Sequence, residues 1–207
     1  MIKNILKIFI LLLLLVGLYS LWQTHFNYNF AEITKDKVYK SGFMKDYNTM
    51  ESKLIDHKIK TVIDLMNPSV QDKLNPAFQD DIDIEDGYIK QINKDHGSSI
   101  RHISIPSLQV PTKKTLTKFF KILDNKDNYP VLIHCYHGTG RAQIYSAIYR
   151  MEYENWKNED ARSKTRILVQ GLGYRSSFAD GKEKGDFLMK YKPRSVGKKS
   201  TFNKLEK

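Results

Sequence analysis

PVLIHCYHGTGR, residues 130–141, decides how this chain folds, because an apolar run enters a loop with two glycines and an arginine and leaves it as a helix. Pro130 opens a strand over Val131 to His134, and beyond the loop Ile144, Ala147, Ile148 and Met151 recur at the spacing of a buried helix face. A loop from strand to helix at the carboxyl edge of a sheet aims successive backbone N–H groups and the positive end of the helix dipole at one point. That is an anion site. Gly138 and Gly140 let the backbone curl tightly enough to make it. Cys135 stands at the start of the loop, where the same field favours a thiolate. Arg141, six positions on, can return across the loop and grip two phosphate oxygens with its planar fork. A nucleophile, an amide cradle over Tyr136, His137, Gly138, Thr139 and Gly140, and a guanidinium together suit phosphoryl transfer through a phosphocysteine.

On either side of this stretch the pattern alternates. Lys37 to Lys40 reads as a short strand, and Asn48 or Thr49 caps a helix to about Lys58. Thr61 to Leu65 is a β-branched buried strand stopped by Asn67-Pro68. Ser69 to His96 is polar and acidic without a sustained period, so the expectation there is an excursion with one short helix. Ser99 to Ile105 alternates imperfectly as a strand, and Thr112 caps a helix whose Leu116, Phe119, Phe120 and Leu123 form a core stripe. Asn158 caps a last helix toward Val169, ended by Gly171 and Gly173. Strands alternating with helices predict an α/β fold, a mainly parallel central sheet flanked by helices. Tyr145, Tyr149 and Trp156 read as core or rim packing.

HCYHGTGR matches the H-C-x5-R signature of the cysteine-dependent protein tyrosine and dual-specificity phosphatases, and the chain resembles their bacterial, atypical branch from about Val38 to Gly173. VYKSG resembles the opening of that branch, IKTVIDL its first core strand, PVLIHC the strand before the loop and AIYRMEYENWKNEDA the two helices after it. The resemblance implies a protein-tyrosine-phosphatase-like fold and hydrolysis of phosphotyrosine or mixed phosphoprotein substrates. Cys135 and Arg141 are then the catalytic pair, Tyr136 to Arg141 bind the phosphate, and no cofactor is needed. A single cysteine excludes an internal disulfide framework and a Cys-rich zinc site. His134, Cys135 and His137 do not read as metal ligands, since a glycine-rich curl beside Arg141 serves an anion better than a cation. His134 reads as a structural residue whose ring bonds the loop. His137 reads equally as a solvated loop residue or as one that shapes substrate entry.

The chain departs from the family pattern in three places. The residue after the arginine, normally Ser or Thr in support of the departing cysteine, is Ala142. The loop that carries the family's Asp general acid corresponds to Ile100 to Val110, which holds no carboxylate; His102, Ser107 and Gln109 are its side chains of interest. Asp95 is the upstream candidate for the acid, with His96 beside it. The strand that often ends in arginine ends here in Met66. Three readings follow: a slow phosphatase of phosphoprotein substrates, a phosphoanhydride or inositol polyphosphate phosphatase whose better leaving group needs less acid assistance, and a pseudophosphatase that binds phosphorylated partners without turnover. The loop Tyr136 to Gly140 carries no Lys or Arg, which argues against a highly charged ligand.

With 207 residues and 41% hydrophobic composition the chain is long enough for one catalytic domain plus some extra sequence, and collagen-like or wholly disordered readings are set aside. Its net charge of +11 is concentrated at the ends. Residues 190–207 contribute +6, and Lys3 and Lys7 contribute +2, leaving +3 for the body, so no nucleic-acid partner is expected. Lys3 and Lys7 precede an apolar run from Ile8 to Tyr19, and the first 30 residues hold no Asp or Glu. From Ile5 to Trp22 a helix would reach about 27 Å, enough for a bilayer core. No A-x-A cleavage site follows, which favours a retained anchor over a cleaved signal peptide; the alternative is secretion to the periplasm after cleavage. The positive-inside rule then puts the catalytic domain outside the cytoplasm, on the periplasmic side of a Gram-negative cell. The expected organisation is an anchor or signal over 1–22, a linker over 23–30, a phosphatase-like domain over 31–193 and a basic mobile tail over 194–207.

Overall fold

The computed structural model describes residues 2–70, 76–165 and 176–194. Among these, five strands form one sheet in the order β1-β2-β5-β3-β4: β1 (Ala31–Thr34), β2 (Val38–Gly42), β3 (Thr61–Asp64), β4 (Arg101–Ser104) and β5 (Val131–Cys135). β1 pairs antiparallel with β2 at one edge, and every other pairing is parallel, as the alternating pattern predicts. β5 lies in the middle and is buried throughout, so the chain's functional loop leaves from the centre of the carboxyl edge.

Side-chain alternation along the strands divides the core in two. Val131, Ile133 and Cys135 face α4 (Lys113–Leu123), α5 (Arg141–Tyr153), α6 (Asn158–Ser163) and α7 (Glu183–Lys190), packing with Phe119, Tyr145, Ile148 and Leu188. Tyr39, Val62 and Leu132 face α2 (Tyr47–Asp56) and α3 (Gln79–His96), packing with Leu54, Ile89 and Ile92. α4 begins where Thr112 caps it by accepting from the Thr115 N–H, and its predicted stripe holds, with Phe119, Phe120 and Leu123 buried. α2 is capped by Asp46 rather than by Asn48 or Thr49; the Asp46 carboxylate accepts from the Thr49 N–H and hydroxyl at 2.8 and 2.7 Å.

Three expectations are corrected. The acidic excursion contains not a short helix but the 18-residue α3, whose Ile82, Glu85, Ile89 and Ile92 make a buried face. One of those core positions is a carboxylate, and Ile84 is apolar yet exposed, so the helical period does not show in apolar letters alone. β1 was not anticipated, because a half-exposed edge strand of four residues has no alternation to read. Lys157 occupies the N-cap position of α6 without a side-chain capping bond; Asn158 is the first helical residue, and its amide donates to the Leu188 and Tyr191 carbonyls at 2.7 Å and ties α6 to α7. The helix also stops earlier than the expected run toward Val169: α6 ends at Ser163 with Lys164 as its C-cap, and Val169, Gly171 and Gly173 lie outside the described residues.

The two ends also differ from their expected boundaries. The amino-terminal helix α1 (Ile2–His25) runs past Trp22, and Asn4–His25 is long and apolar enough to cross a membrane, with none of that apolar surface covered by the rest of the described chain. Phe30, placed in the linker, is buried and stacks on Tyr39. Arg194, placed at the head of the basic tail, is bound to the body: it pairs with Asp124 at 2.9 Å and Glu152 at 3.0 Å and lies over the Phe120 ring at 3.9 Å. Residues 195–207 lie outside the described part.

Candidate active site

The loop after β5 is shaped from outside. Its carbonyls are held one after another: Tyr136 O accepts from the Phe43 N–H at 3.1 Å, His137 O from the Asn29 amide at 2.9 Å, and Gly138 O from the Lys40 ammonium at 3.1 Å. With those carbonyls turned outward, the amide groups of the loop are left for its concave side, which is the nest an anion needs. Gly138 is the residue that permits it. Its φ is +72°, and a Cβ there would sit 2.4 Å from Gly42 N and 2.6 Å from the Ser41 carbonyl carbon. Lys40 itself is buried, and burial pushes its ammonium down to about 8 while the nearby Cys135 sulfur pulls the other way.

Cys135 and Arg141 are both buried at the two ends of this curl. Arg141 Nη1 donates to Leu65 O at 2.7 Å and Ser107 O at 3.1 Å, so the guanidinium fastens the loop to the segments leaving β3 and β4. Ala142 is fully buried at the start of α5. Tyr136 and Phe43 form an aromatic rim, with ring centroids 6.3 Å apart, and Lys45 donates to the Tyr136 hydroxyl at 2.6 Å. His137 is exposed beside them; partial desolvation, then Lys45 and Arg141, lower its ring pKa, so it is neutral at neutral pH. Thr139 is half-buried.

Two side chains from distant elements converge on Gly140. A Cβ at that position would lie 3.2 Å from Lys184 Nζ and 3.6 Å from Gln109 Oε1. Lys184 is a buried lysine on α7, brought in because Gly185 lets the helix press against the backbone of Phe178 and Ala179, where any side chain would collide. The sequence reading missed Lys184 and Lys45, since the cations beside the loop are supplied by other elements than the loop.

Asp95 is not brought to Cys135. It sits on the last turn of α3, just before β4 begins, and is therefore at the amino edge of the sheet while Cys135 is at the carboxyl edge. Its carboxylate accepts from Tyr47 at 3.0 Å and Gln91 at 2.7 Å. His134 also differs from its expected place. Neither ring nitrogen bonds the loop; the ring points to the opposite face of the sheet, with Nε2 3.1 Å from Glu85 Oε2. Burial pushes the His134 ring down in pKa, but Glu85 and Asp64 opposite it outweigh this and raise it. Met66 is buried beside Phe43 and Ala77 under Tyr136, so the position where relatives often have arginine is filled by packing.

A mainly parallel sheet whose central strand ends in a cysteine, followed by an amide nest and a buried arginine, defines a phosphatase of the dual-specificity, protein-tyrosine-phosphatase type. Residues 37–178 match the family described as a DSP-PTPase phosphatase fused to NAD+ kinase, and the chain belongs to that family. No curated protein sequence matches it. Among solved structures it is similar to the core catalytic domain of the PP-IP phosphatase SIW14 from S. cerevisiae in complex with citrate, with 19% identity, 79% of this chain and 85% of that one covered, and a TM-score of 0.56. It is also similar to P. aeruginosa TpbA in complex with phosphotyrosine, with 17% identity, coverage of 79% and 89%, and a TM-score of 0.51. At these identities the likeness is one of fold.

Proposed function

We propose that the chain hydrolyses phosphotyrosine or mixed phosphoprotein substrates through a phosphocysteine on Cys135. The observation that carries this is the outward tethering of three successive loop carbonyls between Cys135 and Arg141, which leaves amides and a guanidinium around one phosphoryl group. The aromatic rim of Tyr136 and Phe43 suits the ring of a phosphotyrosine. In the first step the Cys135 sulfur forms a bond to phosphorus as the phosphorus–oxygen bond to the leaving group breaks, and that oxygen takes its proton from solvent. In the second, water attacks phosphorus, phosphate departs, and the Cys135 thiolate is restored.

Ala142 makes the second step slow on good leaving groups. The departing thiolate lacks one hydrogen bond, worth about 1.5–3 kcal/mol to a charged acceptor. That is roughly ten- to a hundredfold in rate. A burst of one equivalent per site from an activated aryl phosphate, followed by slow turnover, is the expected course, and Ala142→Ser should raise the steady rate by that factor while shrinking the burst. With aryl phosphates of rising leaving-group pKa the first step takes over, because no carboxylate stands on the loop after β4. A steep leaving-group dependence with no burst even for the best substrate would overturn the assignment of the slow step.

Lys184 and Lys45 favour a second reading, a phosphoanhydride or inositol polyphosphate substrate, whose extra charge they can meet and whose leaving group needs less acid. Lys184→Met should then cost such a substrate about tenfold or more in kcat/KM relative to a phosphotyrosine peptide, the equivalent of one charge-assisted hydrogen bond. An unchanged ratio would leave the phosphoprotein reading standing alone.

The helix α1 is read as a retained anchor with the catalytic domain outside the cytoplasm, supported by its uncovered apolar surface and by Lys3 and Lys7 at its amino end. Protease added to intact spheroplasts should remove the domain and leave a short membrane fragment. Full protection would reverse the orientation, and soluble protein beginning after Trp22 would mean cleavage.

A further inference from the structure

On the α2/α3 face of the sheet, directly behind the loop, Glu85 of α3, His102 of β4 and His134 of β5 each turn one ligand atom toward a common point, all within 4.8 Å of one another. Glu85 Oε2 lies 3.1 Å from His134 Nε2 and 3.3 Å from His102 Nε2. Yet neither ring nitrogen, nor that oxygen, makes a hydrogen bond of acceptable direction. His134 and Glu85 are 1% and 2% exposed, so solvent does not satisfy them either. Short separations without donor alignment are what ligands around a shared ion show: with bonds of about 2.0–2.1 Å in a tetrahedral site, neighbouring ligand atoms lie ~3.3 Å apart.

The surrounding groups fit the same reading. His102 presents Nε2 to the centre while Nδ1 faces Asp86 Oδ1 at 3.4 Å, the arrangement in which an outer carboxylate fixes the tautomer of a ligating imidazole. Asp64 Oδ1 is 3.7 Å from His134 Nε2 and accepts from the Met66 N–H, while its Oδ2 is buried without a partner. Glu85 and Asp64 bring two buried carboxylates to the two imidazoles; a dication held by the neutral rings balances that charge as fully as two ring protons would, and it satisfies the ligand atoms that no aligned hydrogen bond reaches. Nitrogen and carboxylate donors together select a borderline transition ion over Ca2+ or Mg2+.

We propose that Glu85, His102 and His134 bind one divalent transition-metal ion of the zinc class, with the Asp64 carboxylate beside His134 as a neighbouring charge and not a ligand, and that the ion pins α3 and β4 to the strand that carries Cys135. The ion is structural and does not touch the phosphate, since its ligands lie on the face of the sheet opposite the Cys135 side chain. The site stands whether or not the substrate assignment above holds.

The test uses the full-length chain in detergent with Cys135→Ser, so that the active-site thiol cannot bind metal, after removal of metals by a chelator. Titration with Co2+ should give one equivalent of tetrahedral visible absorption bands, displaced by Zn2+, and Zn2+ should raise the thermal midpoint. His102→Ala should weaken binding at least a hundredfold. Asp86→Asn changes only a carboxylate that is 41% exposed, so folding is not at risk, and it should weaken binding about tenfold. Circular dichroism of each variant verifies the fold. Absence of tetrahedral bands, or binding that neither variant weakens, would overturn the proposal and leave the cluster as buried ion pairs.

Discussion

Cys135→Ser should reduce turnover by about four to six orders of magnitude, the scale on which removal of a covalent nucleophile registers, with the fold intact and with anions still bound by the loop. Acid quenching of the parent enzyme during the burst should trap phosphate on Cys135 alone. Arg141→Lys should lose about two to three orders of magnitude in kcat/KM. Lysine keeps the charge but offers a single nitrogen, whereas Arg141 already spends Nη1 on Leu65 O and Ser107 O. Thermal unfolding of Arg141→Lys separates the two roles: a lower midpoint reports the lost ties to β3 and β4, and the remaining deficit in rate reports phosphate. Hydrolysis by Cys135→Ser within tenfold of the parent would refute the phosphocysteine route.

Gly138→Ala carries the second large effect, and it comes from the backbone. A non-glycine residue in the left-handed region costs about 1–2 kcal/mol. The added methyl also meets Gly42 N at 2.4 Å and the Ser41 carbonyl carbon at 2.6 Å, atoms of a central strand that cannot swing aside. Overpacking of that kind adds about 1–3 kcal/mol. A total of about 2–5 kcal/mol lowers the thermal midpoint by roughly 4–20 °C for a domain of this size. Activity should fall at least a hundredfold even below the midpoint, because the loop must shift to relieve the contact and a displacement of about 1 Å is enough for such a loss. Gly87→Ala is the control. Nothing lies within 4 Å of a Cβ there, and on the exposed face of α3 the change should stabilise by about 0.5–1 kcal/mol. Equal destabilisation by the two substitutions would mean that the Gly138 turn is not the strained element described here.

The same contrast between local and distant causes explains which expectations survived. The strand over Val131 to Cys135, the helix capped by Thr112 and the buried face of α5 are written in short-range patterns, and each is found within a residue or two of its expected place. α3 escaped because Glu85 occupies a core position, a choice that makes sense only beside His102 and His134. β1 escaped because its pairing with β2, and not its composition, makes it a strand. Asp95 was the nearest acid upstream of Ile100, yet it ends α3 at the amino edge of the sheet, a strand's length from the loop.

What the amino-acid sequence determined alone is the loop itself. Cys135, Gly138 and Arg141 lie within seven consecutive residues, and a strand, a curl and a helix start bring them together by local geometry, so their order in the chain is already their arrangement in space. The environment of that loop was decided by the folded chain. Asn29, Lys40 and Phe43 turn the loop's carbonyls outward across some 90 or more residues of separation, and Lys184 reaches Gly140 from α7. His102 and His134 share a face behind it because β3 stands between their strands in parallel register, with Val62 opposite His102 and Asp64 opposite His134 two residues on, and α3 lays Glu85 over that face. No periodicity along a sequence encodes which residues of separate elements will meet, since that depends on strand order, register and close approach of backbones, and these are settled only when the sheet and its helices pack.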